Sequence, residues 1–273
     1  MSHIAVIGGG WLGRPLAQYL ESIGHQVSVS RTSEAGADEL KAAHLDGFIC
    51  QLDSPQSEVE RSLSAIQPSI VIGCFPPGFR KGKGDEYAEQ WKKLATACVN
   101  IGVNKLVMVS STTVYPSVAK EMYEDDATLA LANTHSTFSD NAKIMLRAEQ
   151  HVQDSGLRFA IVRCSGLIGP ERHPSRFAAK LRQVSRLAPA NMIHLLDAIG
   201  AVSFAALHDN NMVVNATTPN TVSKAQFYQT ALERAGLSEP LPPIVDVEDK
   251  RIMADRLLEL GYRFHFQHTL EAL

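Results

Sequence analysis

Apolar residues in the first part of the chain arrive in two alternating patterns: short unbroken runs, and stretches in which they recur every three or four positions. Ile4 to Ile7 form an unbroken run, Leu12, Leu16, Leu20 and Ile23 follow at helical spacing up to Gly24, and Val27 and Val29 open the next run. Unbroken runs suit strands covered on both faces, whereas the wider spacing suits helices with one buried face. Pro15 falls early enough in the first helix to be tolerated there. The same reading predicts a weak helix over Ala37–Ala43, a third strand over Gly47–Leu52 closed by Asp53, a helix over Glu58–Ile66 and a fourth strand at Ile70–Ile72. Trp91, Leu94, Ala95, Cys98 and Ile101 make the stripe of another helix, which Asp85 can cap and Gly102 ends. Lys105–Ser110 predicts a fifth strand, Asn141–Gln153 a helix and Phe159–Arg163 a sixth strand. Six such alternations over about 160 residues predict an α/β fold built on a doubly wound parallel sheet.

The last third changes character. It carries the loop GPERHPSR, a helical run near Leu195–Leu207 and a short strand at Met212–Asn215. Asp197 inside that helical run marks it as a buried helix rather than a membrane one. Ser223 followed by Gln226 predicts a capping box ahead of a helix over Phe227–Ala235, and after the prolyl linker EPLPPI a final helix is expected near Asp249–Leu260, stopped by Gly261. The division expected is a nucleotide-binding domain over 1–165 and a smaller lobe over 166–273, with about 195–215 returning to the first sheet.

Between the first strand and the first helix, Gly8, Gly10 and Gly13 spell G-x-G-x-x-G. In that context the first glycine permits the turn, the second lets a pyrophosphate approach the backbone, and the third lets the helix lie close to the sheet. The turn also places free amide groups at the positive end of a helix, where a phosphate is favoured. Units that take NAD usually carry Asp or Glu about 20 residues further on, to hold the ribose hydroxyls. Here the second strand ends Ser30, Arg31, Thr32, so an acid that would repel a 2′-phosphate is replaced by a guanidinium that can pair with one. NADP is therefore the cofactor expected, ahead of NAD.

A net charge of -3 supplies no basic stripe for nucleic acid and no polybasic segment for a membrane surface, which leaves small molecules as the expected partners. Cys50, Cys74, Cys98 and Cys164 lack the spacing of a zinc site or a disulfide framework, so no metal is expected. With no apolar run of membrane-spanning length, and a first strand beginning almost at Met1, the expectation is a cytoplasmic protein without a signal peptide. The segment FPPGFRKGKGDEY reads as a loop, in which Arg80, Lys81 and Lys83 offer a candidate lid. Arg172, His173 and Arg176 follow the sixth strand at the end where open sheets receive ligands; the arginines suit an anionic substrate and the imidazole suits acid/base work.

The segments GGGWLG, VSSTTVYP, IVRCSGLIGP, NMIHLLDAIGA, VVNATTPNTVSKAQF and LLELGYRF resemble the short-chain dehydrogenase/reductase superfamily in its extended, epimerase/dehydratase-like branch. The likeness covers nearly the whole chain and is strongest to a small bacterial group sharing GWLG near the start and GPxRHPxRF after strand six. It implies a Rossmann-type sheet with a smaller C-terminal substrate lobe, the site lying in the cleft between them, in a monomer or homodimer. It further implies cofactor contacts from Trp11, Leu12, Thr32, Asp53, Phe75, Pro76, Ser110, Cys164, Ser165 and Gly166, with the nicotinamide near Ser111, Lys143 and the Cys164–Gly166 turn. Ser111 matches the family's substrate-orienting serine, and Tyr115 stands at a position that usually contacts substrate.

The family's Tyr-x-x-x-Lys is missing. That pair works because a phenol titrating near 10 needs a neighbouring cation to act near neutrality. In STFSDNAKIMLRAEQ, Lys143 has Ser139 four residues earlier, and a register anchored on Glu149 puts Asn141 and Met145 in the two slots. Neither register supplies a phenol. The resemblance thus implies an NADP-dependent oxidoreductase or epimerase/dehydratase-like enzyme acting on a small, anionic, carbonyl or sugar-like substrate, with its proton carried by His173, another side chain or water. The alternative is an NADP(H)-binding sensor or regulatory protein without redox turnover, which the missing tyrosine favours.

Overall fold

The computed structural model describes residues 2–79, 82 and 84–273, so the candidate lid residues Arg80, Lys81 and Lys83 lie outside the described residues, as does the side chain of the expected cap Asp85. In chain order the first half runs β1 (His3–Ile7), α1 (Gly13–Ser22), β2 (Gln26–Arg31), α2 (Glu34–Ala42), β3 (Asp46–Ile49), α3 (Gln56–Ser64), β4 (Ile70–Gly73), α4 (Gly84–Asn100), β5 (Lys105–Ser111), β6 (Glu121–Met122), α5 (Leu129–Thr134) and α6 (Asp140–Gln153). The second half runs β7 (Arg158–Cys164), β8 (Gly166–Ile168), α7 (Ser175–Ala178), β9 (Val184–Ser185), β10 (Met192–His194), α8 (Leu195–Leu207), β11 (Met212–Ala216), α9 (Lys224–Arg234), β12 (Ile244–Val245), β13 (Arg251–Ile252) and α10 (Asp255–Glu259).

Seven strands pair in parallel in the order β3-β2-β1-β4-β5-β7-β11, a doubly wound Rossmann-type sheet. Alternate residues of each inner strand feed two separate cores. Ile4 and Val6 pack with α1, α8 and α10 on one face, while Ala5 and Ile7 pack with α3, α4 and α6 on the other, which is why these strands are apolar throughout. The direction of winding reverses between β1 and β4, and such a reversal opens a crevice at the carboxyl ends of the two strands.

Helix ends shift by up to three residues from the expected bounds, as in α2, α3 and α9, and two larger departures have a visible cause. The third strand ends at Ile49, because Gln51–Ser54 close a turn (Ser54 N–H to the Gln51 carbonyl, 3.2 Å) that leads into α3. The closing helix shrinks to Asp255–Glu259, since Asp249 is drawn to the Lys224 amine (2.8 Å), the Lys250 amine reaches the Tyr115 and Pro116 carbonyls, and Arg251–Ile252 run extended beside β6. Ser223 caps α9 by accepting from the Gln226 N–H, one half of the capping box that its spacing predicts. Asp197 is buried in α8 and accepts from the His265 and Phe266 N–H groups.

Residues 195–216 pack on and join the main sheet as α8 and β11, while the rest of the C-terminal third forms short parallel pairs (β8 with β10, β9 with β12) and a small cluster around Ile168, Ala190 and Phe227; β13 pairs back with β6, and Ile252 and Met122 join the core under α3, α4 and α6. Among the described residues no helix is long and apolar enough to cross a membrane, and no cluster of His, Cys, Asp and Glu is placed to hold a metal ion.

Candidate functional site

The turn after β1 is built from groups that leave it no room for larger residues. Gly8 has φ +108°, a conformation side chains resist, and donates its N–H to Ser30 Oγ (3.0 Å), while the Gly9 N–H donates to the Ser30 carbonyl (2.8 Å). A Cβ on Gly13 would fall 2.1 Å from the Gly8 carbonyl oxygen, so only glycine lets α1 close down on the turn. Gly10 is different: nothing stands within 4 Å of where its Cβ would be. The open side of the turn thus lies at the start of α1, whose first turn carries no acid to oppose an anion.

A cavity of about 390 Å³ occupies the crevice at the sheet's reversal. Its wall runs from Ile7–Gly10 after β1, through Ser30–Thr32 at the end of β2 and Cys50, Leu52 and Asp53 after β3, to Cys74–Pro76 after β4, with Gln90 reaching in from α4. Gly8, Gly10, Arg31, Thr32, Asp53, Phe75 and Pro76 are hence brought together around one space. Cys50, Leu52, Cys74 and Gln90 were not singled out by sequence; the two cysteines could have been, since each directly follows a strand end. Burial pushes the Cys50 thiol up to about 11 and raises that of Cys74, so both are apolar wall rather than nucleophile. Phe75 is held by stacking on Trp91 of α4 (ring centroids 4.7 Å apart), and Trp91 fits because a Cβ on Gly73 would sit 2.2 Å from its ring. Arg31 donates to the Gly9 carbonyl (2.8 Å) and makes a looser pair with Glu39 (3.4 Å).

Beyond this cavity the sheet carries the hydroxyl-rich end of β5. Ser111 pairs in register with Cys164 of β7, and its hydroxyl accepts from the Thr113 N–H (3.2 Å). Ser110 points the other way, into the interior, where its hydroxyl donates to Glu149 Oε1 (2.6 Å); it is a framework residue rather than a cofactor contact. Tyr115 is likewise interior, 2% exposed, with its hydroxyl donating to Asn215 (2.6 Å) and accepting from Arg163 (3.1 Å), which takes it out of reach of a substrate. Burial lifts its phenol to about 12 against the opposing pull of the Arg163 charge. Tyr123 is exposed, its hydroxyl donating to Glu121 (3.2 Å).

Helix α6 supplies no phenol either. Ser139, which stands four residues before Lys143 where the family has its tyrosine, is the N-cap of this helix and accepts from the Ala142 N–H (3.1 Å). Glu149, the anchor of the register that puts Asn141 and Met145 in the Tyr and Lys slots, is bound to Arg163. Met145 is buried in the core. Lys143 is half-buried, and among the described residues its amine has no hydrogen-bond or ion-pair partner.

The loop after β8 closes on the glycine turn from the other side. Trp11 donates its indole N–H to the Pro170 carbonyl (2.8 Å), and the Arg172 guanidinium lies over the indole, 4.1 Å from the ring centroid. Arg176 instead donates to the Glu171 carbonyl (2.8 Å), and His173 Nδ1 pairs with the Ser175 hydroxyl (2.8 Å). Leu12 packs into the core beside them. Cys164 and Ser165 are buried at the end of β7, the thiol pushed up to about 12 by burial, and Gly166 begins β8 next to Met192.

The solved structures similar to this chain share its whole fold. UDP-glucose 4-epimerase of Thermotoga maritima, solved with UDP-glucose, superposes with a TM-score of 0.75 at 16% identity, covering 99% of this chain and 98% of that one. The enzyme WbmG of Bordetella bronchiseptica, solved with NAD and UDP, superposes with a TM-score of 0.75 at 18% identity over 98% of this chain and 92% of that one. Protein YeeZ of Escherichia coli K12 is 26% identical over 276 residues, spanning 99% of this chain and 98% of the relative. Residues 4–198 match the NAD dependent epimerase/dehydratase family, to which this chain therefore belongs.

Proposed function

We propose that the protein binds NADP in the cavity at the β1–β4 reversal and acts as an oxidoreductase or epimerase/dehydratase-like enzyme on a small, anionic, carbonyl or sugar-like substrate. The observation that carries the reading is the pairing of an open glycine turn with Arg31: the guanidinium lines the same cavity as Gly8–Gly10, at the end of β2 where an NAD-type unit would present an acid. A 2′-phosphate would find there a cation already held in place by the Gly9 carbonyl, with Thr32 beside it. Asp53, Phe75 and Pro76 would form the adenine side of the cavity, and a bound nicotinamide would supply hydride chemistry at the β5 end. There Ser111 would orient the substrate oxygen and Lys143 would place a charge opposite it. Since α6 offers no phenol, the proton would move through His173, another side chain or water. The UDP-glucose bound to the Thermotoga epimerase and the UDP bound to WbmG are consistent with this substrate class.

Calorimetric titration with NADPH and NADH tests the assignment, followed by a search for loss of the reduced nicotinamide absorbance with aldehydes, ketones and nucleotide sugars. NADPH should bind about tenfold or more tightly than NADH, the ratio of roughly 1.4 kcal/mol, and Arg31→Asp should reverse the order. Equal affinity for the two nucleotides would show that Arg31 does not read the 2′-phosphate. Tight binding with no turnover on any of these compounds would assign the protein to nucleotide binding without redox chemistry.

A further inference from the structure

The two arginines of the 169–176 loop are held in different ways. Arg176 is spent on a backbone carbonyl of its own loop, donating to Glu171 O at 2.8 Å. The Arg172 side chain is held by stacking: its guanidinium lies 4.1 Å from the centroid of the Trp11 ring, and among the described residues the guanidinium has no hydrogen-bond or ion-pair partner. A guanidinium has five N–H donors, all in its plane. Stacking occupies its face and leaves that edge unused.

The residue beneath it is part of the phosphate turn. Trp11 sits between Gly10, with open space on its side, and Leu12, which is anchored in the core, at the start of α1. Its indole N–H is tied to Pro170 O (2.8 Å), and the loop turns back on itself at Gly169, whose carbonyl accepts from the Arg172 N–H (2.9 Å). Two anchors therefore hold a cation of the 169–176 loop against the residue that directly follows Gly10 in the glycine turn.

We propose that Arg172 is a cofactor residue: with Trp11 as its platform, it reaches across the cleft to the diphosphate of the nicotinamide nucleotide, so that cofactor binding also sets the 169–176 loop that carries His173 and Arg176. This reassigns Arg172 from the substrate to the cofactor, and it rests on the nucleotide-binding reading above. It makes the loop's order depend on the nucleotide, so substrate is received after the cofactor.

The test compares NADPH with adenosine 2′,5′-bisphosphate, which has the 2′-phosphate but no diphosphate. Arg172→Met retains a long apolar side chain to lie on the indole but removes the charge. It should weaken NADPH by about tenfold to a hundredfold, the range for a lost charge-assisted hydrogen bond, and leave the bisphosphate unchanged. Arg172→Lys should recover part of the loss, whereas Arg31→Asp should weaken both ligands. In the unaltered protein NADPH should slow amide exchange across residues 169–176, and in Arg172→Met that protection should disappear. Undiminished NADPH affinity in Arg172→Met, equal loss of both ligands, or unchanged protection would each overturn the proposal while leaving the cofactor site intact. Failure of the unaltered protein to bind NADPH at all would instead remove the reading on which it rests.

Discussion

Arg163 of β7 and Glu149 of α6 meet inside the molecule, 2% and 1% exposed, with the guanidinium Nη2 2.7 Å from Glu149 Oε2 and Nε 3.1 Å from Oε1. The same guanidinium donates to the Tyr115 hydroxyl and to the Glu124 and Ala127 carbonyls, and Glu149 also accepts from Ser110. One ion pair thereby joins α6, the end of β5 and the chain over Glu124–Ala127.

Removing one partner should be far worse than removing both. Glu149→Gln leaves a buried guanidinium without its counter-charge and should cost about 3–5 kcal/mol, read from urea unfolding. The double variant Glu149→Leu with Arg163→Met should be less damaging than the two single effects added together, since no charge is then stranded. Additive losses would show that the pair does not act as a unit.

The glycines of the turn should separate folding from binding. Gly13→Ala drives a methyl into the Gly8 carbonyl, 2.1 Å away, so it should lower the melting temperature as well as nucleotide affinity. Gly10→Ala meets nothing within 4 Å in the protein, and should keep the melting temperature within a degree or two while weakening NADPH by about tenfold or more, because the methyl occupies the pyrophosphate's approach. Unimpaired binding by Gly10→Ala would place the phosphates elsewhere.

Lys105 gives the fold a pH signature. Its amine is buried and donates to the Ala205 and His208 carbonyls at the end of α8, and burial lowers it from an ordinary 10.5 to about 8. Below about pH 8 both folded and unfolded chains hold this proton. Between about 8 and 10.5 only the unfolded chain does, so this residue makes the protein more stable as pH rises through that window. Tyr115 and the buried thiols of Cys50 and Cys164, raised by burial, act in the opposite sense at the alkaline end. The contribution is therefore seen as a difference: stability relative to Lys105→Met should climb between pH 8 and 10 in urea titrations, and a flat difference would contradict it.

What the sequence made legible was whatever is local. Periodicity located the six strands of the alternating region and the helices between them, and the G-x-G-x-x-G spacing placed the cavity, because a strand, a turn and the next helix lie within a few residues of one another. Long-range contacts were hidden. Nothing near Tyr115 shows that Asn215 and Arg163 take its hydroxyl, and nothing in GPERHPSR shows which arginine lies on Trp11 and which on a carbonyl. The closing helix was overread for the same reason: Asp249 and Lys250 fit a helical pattern, but partners far away in the chain hold them extended.

Ser139 is the residue on which an enzymatic and a structural role can be told apart most cleanly. Its hydroxyl oxygen accepts from the Ala142 N–H at the first turn of α6, a bond that Asp makes as well as Ser does. Ser139→Ala should cost about 1 kcal/mol of stability and Ser139→Asp should restore it, with Asp140 already favouring a negative helix start. If the residue only caps, any turnover found with a carbonyl substrate should survive in both variants with an unchanged pH profile. A residue that carries a proton would behave otherwise: Ser139→Asp would keep the helix and still abolish turnover, because a carboxylate cannot donate the proton of an alcohol. Measuring unfolding and the pH dependence of kcat/KM on the same two variants decides the matter, since the cap acts on the first and proton transfer on the second.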